Sequence, residues 1–75
     1  MTYFDYQSTA REAGIPDDVL AAWRAGFERE YPQDAMMLEL RLLRACQAAR
    51  GGDDQRKRVV QALEEEFRLL DKMPA

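Results

Sequence analysis

At 75 residues the chain is sized for one domain of marginal stability, because small domains bury a smaller share of their surface. One cysteine cannot form an internal disulfide, and without histidine or a cysteine cluster a zinc staple is excluded, so stability must come from dense helix packing or association. With 47% hydrophobic and 33% charged residues the chain is not compositionally disordered, and its formal charge of −3 disfavours a phosphate-backbone partner.

Residues 1–14 open with Tyr3, Phe4 and Tyr6. Tyr3, Tyr6, Ala10 and Ala13 recur at i, i+3, i+7 and i+10, which predicts a first helix running to Ala13 and stopped by Gly14. Thr9 and Glu12 also form a capping-box pair, which would start a shorter helix after an extended arm. The longer helix is the preferred reading.

Pro16 disfavours helix at Ile15, while Asp17 can cap the next turn and Asp18 favours the positive end of its dipole. This predicts a second helix from about Asp18 to about Glu30, with Val19, Leu20, Trp23, Phe27 and Tyr31 on its apolar arc. Gly26 lies beside that arc, where it marks either the close approach of another helix or a frayed end.

Tyr31-Pro32-Gln33-Asp34 breaks the helix and restarts it, with Asp34 as the cap of a central helix over residues 34–50. Ala35, Leu38, Leu42, Ala45, Cys46 and Ala49 fall on one arc of that helix, and Met36, Leu40 and Leu43 on a second strip bordered by Met37, Gln47 and Arg44. Glu39 and Arg50 separate the two. A helix apolar on two sides is generally covered on both, so neighbours are expected on each flank.

Gly51-Gly52-Asp53 ends the central helix and caps a fourth, expected from about Asp54 to Lys72. Its broad apolar face holds Val59, Val60, Ala62, Leu63, Phe67, Leu70 and Met73, opposite Lys57, Gln61, Glu64, Arg68 and Asp71. Glu66 projects into the apolar arc, and either bends to water at the rim of the core or pairs with Arg50 or Arg41; the rim is the preferred reading. The short links favour antiparallel neighbours, and no linker or repeat divides the chain. The predicted fold is all-α: one domain over residues 1–75, a small antiparallel bundle of three or four helices.

The segment from Thr9 to Gly26, TAREAGIPDDVLAAWRAG, resembles the helix-turn-helix of bacterial DNA-binding domains at Ala10, Gly14-Ile15, Leu20 and Trp23, the buried positions of that motif. The resemblance covers under a quarter of the chain and implies a transcriptional regulator whose second helix reads the major groove. Such a helix would present Pro16, Asp17, Asp18, Ala21 and Ala22, none of which makes the usual base-edge contacts.

Cys46 lies on the core arc with no histidine to activate it, and reads as a buried small hydrophobe. Asp17-Asp18 and Asp53-Asp54 sit where helix caps belong, Glu64-Glu65-Glu66 spreads around a helix, and no calcium-loop spacing is present. No catalytic constellation or cofactor motif emerges. No run of 18 apolar residues exists, and the opening residues lack a signal-peptide pattern, which with the free thiol points to a cytoplasmic protein. Nine Arg to two Lys beside many Ala is the usage of a GC-rich bacterial genome.

The remaining signal is Met36, Met37, Leu40 and Leu43, framed by Arg41 and Arg44. Methionine is adaptable and over-used where proteins dock, so the strip could receive a partner helix or the same strip of a second copy. The competing reading is that the first helix, with Tyr3, Phe4 and Tyr6, simply covers it. The expected function is a non-enzymatic interaction module such as an adaptor, accessory subunit or inhibitor; the alternative is the DNA-binding regulator.

Overall fold

The computed structural model describes residues 3–72. They form four helices and, among the described residues, no strand: α1 (Tyr6–Ala13), α2 (Asp17–Glu30), α3 (Ala35–Ala49) and α4 (Asp53–Lys72). The third helix packs against each of the other three, and α2 also meets α4. The Cα radius of gyration is 12.0 Å, close to the roughly 11 Å of a compact chain of this length.

The start of α1 differs from both sequence readings. Asp5 is the cap: its Oδ1 accepts the Ser8 amide at 3.2 Å and its Oδ2 the Ser8 hydroxyl at 2.8 Å. The helix stops short of Tyr3 because the amides of Tyr3 and Phe4 bond to Glu39 Oε1 on α3, at 2.8 and 3.1 Å, instead of entering a helical turn. Tyr6, Ala10 and Ala13 are buried as the spacing requires, whereas Tyr3 is 58% exposed.

The end of α1 is the expected one. Gly14 takes φ +72°, a conformation that costs a side-chain-bearing residue energy, its amide bonds to Arg11 O, and the Ile15 amide reaches Ala10 O at 3.0 Å. This paired closure satisfies two orphan carbonyls and turns Ile15 into the core, where it is 6% exposed.

In α2, Asp17 is not a cap: Pro16 holds the cap position with no side-chain hydrogen bond, and the helix begins at Asp17. Proline's fixed φ suits the entry, and Asp17 and Asp18 both lie in the first turn, where the helix dipole favours negative charge. The cap of α3 is as expected, with Asp34 Oδ1 accepting the Met37 amide at 3.1 Å. In α4, Asp53 is the first helical residue rather than the cap, and its carboxylate pairs with Arg56 at 2.9 Å.

The core joins Tyr6, Ala10, Ala13 and Ile15 to Trp23 and Phe27 of α2, Leu38, Leu42, Ala45, Cys46 and Ala49 of α3, and Leu63 of α4. Phe27, Leu42 and Cys46 are its most enclosed side chains. The apolar face of α4 is narrower than its spacing suggests: Leu63 is buried, Val59, Val60, Phe67 and Leu70 are half-buried, and Ala62 is exposed. Met73, also assigned to that face, lies outside the described residues.

Two side chains resolve the α2–α4 contact. A Cβ on Gly26 would stand 2.5 Å from the Phe67 ring, so glycine is there for close approach and not as a frayed end. The Phe67 ring then meets Phe27 edge to face, at 5.1 Å and 81°. Glu66 does not simply bend to water: both its oxygens accept from Arg41 Nη2 at 3.2 Å, while Arg50 turns to Glu12 of α1.

Candidate functional site

Among the described residues, the large apolar side chains left most open are Tyr3, Met36 and Leu69. Met36 belongs to the strip on α3. Seven residues complete about two helical turns, so Met36, Leu40 and Leu43 share a face along with Gln47. Met36 is 51% exposed, Leu40 and Leu43 are half-buried, and Leu43 also packs against the core edge.

Glu39 lies three residues after Met36 and four before Leu43, at the border between strip and core, and is 4% exposed. Its carboxylate holds the backbone of Tyr3 and Phe4, so the arm that precedes α1 is tied to α3 alongside the strip. Phe4 is half-buried and Tyr6 belongs to the core. The arm reaches the border and leaves Met36 open.

Of the two arginines assigned to this site, Arg41 turns toward α2 and α4, while Arg44 lies one helical turn after Leu40. Arg41 engages Glu66, donates to the Tyr31 hydroxyl at 3.4 Å and stacks over the Phe27 ring at 5.0 Å. Arg44 is exposed and, with Arg41, Ala45, Val59 and Ala62, lines a shallow groove between α3 and α4. By spacing, Met37 stands in line with these arginines and is half-buried. The arm thus meets α3 at Glu39, beside Met36 and Leu43, and Arg41 and Arg44 face the groove toward α4.

Elsewhere the chemistry is quiet. Cys46 is fully enclosed, and burial pushes its thiol up to about 11, away from the thiolate a nucleophile needs. A second polar cluster joins three helices: Glu30 of α2, Arg41 of α3 and Glu66 of α4. Glu30 Oε2 is shut off from water without a hydrogen-bond donor. Burial, reinforced by the neighbouring Glu66, raises the Glu30 carboxyl to about 7, while Arg41 pulls it the other way.

Sequence reasoning gave no role to Glu30, and treated Glu39 only as a separator. Signals for both were present. Glu30 lies three residues after Phe27 and seven after Trp23, on the inward side of α2, and Glu39 lies three before Leu42.

Comparison with family models, curated proteins and solved structures returned no match.

Proposed function

We propose that this protein is a non-enzymatic helical interaction module of the bacterial cytoplasm, a small antiparallel bundle acting as an adaptor, accessory subunit or inhibitor. It binds through the outward strip of α3, with Met36 at its most open point and Leu40 and Leu43 behind it. The occupant is a partner protein or a second copy of this chain.

The observation that supports this reading is the 51% exposure of Met36 on the border where the arm is tied down through a buried carboxylate. A methionine adapts its shape to whatever covers it, and here it stands beside a ready apolar surface. Among the described residues no helix is long and apolar enough to cross a membrane, so a lipid core is not what those helices are built to meet.

The DNA-binding alternative finds little support on α2. Its exposed side carries Asp17, Asp18, Ala21, Ala22, Ala25 and Glu28. Its two arginines are already engaged, Arg24 with Glu28 and the Tyr6 hydroxyl, and Arg29 with Asp71 of α4.

Met36→Glu separates interface from core. Because Met36 is half open, the variant keeps its helical circular dichroism and its urea midpoint, and loses partner capture or self-association at least tenfold, the equivalent of about 1.4 kcal/mol. A folded variant that binds as well as the parent removes the strip from the interface. Tight binding to duplex DNA that weakens steeply with salt would favour the regulator instead.

A further inference from the structure

We propose that Glu30, Glu66 and Arg41 form a proton-operated latch, which holds the C-terminal half of α4 against α2 while Glu30 carries a proton and loosens it when Glu30 ionises. A carboxylate from α4 pairs with a guanidinium from α3, and a second carboxyl, from α2, lies within the electrostatic reach of both. Arg41 commits to Glu66 through both carboxylate oxygens, and its other contacts go to the Tyr31 hydroxyl and the Phe27 ring.

That arrangement leaves Glu30 Oε2 enclosed with no donor to meet it. Two ionised carboxylates are acceptors only and cannot bond to each other; a proton on Glu30 creates the missing donor, which the neighbouring Glu66 can accept. With that proton the cluster is electrically neutral, and without it one negative charge is left over at the helix junction. The charged groups that act on Glu30 are Glu66 from α4 and Arg41 from α3, and Arg41 in turn holds the Tyr31 hydroxyl. Asp71, further along α4, is taken by Arg29.

The consequence falls on α4 because that helix is lightly held. Leu63 is its one buried residue among those described; beyond it Phe67 sits on Gly26, Leu70 is half-buried, and the remaining attachments, the Glu66 pair and the Asp71 pair, are electrostatic.

A carboxyl whose folded-state pKa lies above its ordinary 4.5 binds its proton more tightly in the native protein. Its stabilising effect is complete below about 4.5, declines as pH rises, and is gone above about 7. The latch therefore opens across the neutral range.

The test is urea unfolding and amide exchange, corrected for intrinsic rates, between pH 5.5 and 8. In the wild-type protein the unfolding constant rises about thirtyfold over this range. Amides of residues 64–72 lose protection more than those of α1. Glu30→Gln supplies a permanent donor to Glu66, so its unfolding constant stays flat and the α4 amides stay protected at pH 8. Glu66→Gln, which offers its amide to Glu30 and removes the neighbouring negative charge while leaving Glu30 buried, lessens the rise and covers the case in which the first variant folds poorly. A wild-type profile without the rise, variants that follow the wild-type rise, or a loss of protection spread evenly over all four helices would overturn the proposal.

Discussion

Glu39 is 4% exposed on a helix whose other buried positions are apolar, and the amides of Tyr3 and Phe4 keep it there. A buried carboxylate without such partners would cost several kcal/mol, and hydrogen bonds to a charged acceptor contribute about 1.5–3 kcal/mol each. Glu39→Ala is expected to lower stability by about 2 kcal/mol, because water can reach the freed arm and offset part of the loss. Amide exchange should show Tyr3 and Phe4 unprotected while α2 and α4 keep their protection; continued protection of the arm would show that other contacts hold it. Glu39→Gln retains an acceptor oxygen and should lose less. Helical spacing places Glu39 at the core border, but the partner is an arm whose path depends on where α1 begins, so a wheel alone does not reveal the bond. Cys46 and Leu42 were legible for the opposite reason, since an apolar side chain needs only a dry neighbour of any kind.

At the scale of the helix, the boundaries set by backbone chemistry were the readable ones. Gly14, the Pro32 break, Asp34 and the Gly51-Gly52 turn each act within a few residues and stand where the pattern put them. The start of α1 was misread because three oxygen-bearing side chains, Asp5, Ser8 and Thr9, compete for the same few amides, and the winner depends on α3 withdrawing Tyr3 and Phe4 from the contest. The meeting of α2 and α4 yields its own prediction. In an isolated helix Gly26→Ala would stabilise by about 1 kcal/mol. Here the new methyl meets the Phe67 ring at 2.5 Å and must push it off Phe27. Overpacking of this kind costs about 1–3 kcal/mol, so the net change should be destabilising by about 1 kcal/mol. In a Phe67→Leu background the obstruction is gone and the same substitution should turn neutral or stabilising, a sign change that urea midpoints of the four proteins will reveal. Additive effects would mean that the ring is free to move aside.

For the molecule as a whole, the two-sided apolarity of α3 was the most informative feature of the sequence, and α3 does touch every other helix. Where the Arg41 guanidinium would settle was not legible from that feature, because long side chains follow charge, and Arg41 found Glu66 of α4 and the Phe27 ring of α2. A chain of 75 residues with no disulfide leaves a thin margin of stability, and an apolar strip open at Met36 gives it a reason to associate. If a second copy covers the strip, folding and pairing are linked, and stability grows with concentration. Each tenfold rise in concentration then adds about 1.4 kcal/mol per dimer, which for some 150 residues unfolding together raises Tm by about 3–6 °C. Scans over a hundredfold range should show this shift, and Met36→Glu should abolish it at unchanged helix content. A Tm independent of concentration, with a monomer mass in solution throughout, would eliminate the second copy and leave a different protein as the occupant of the strip.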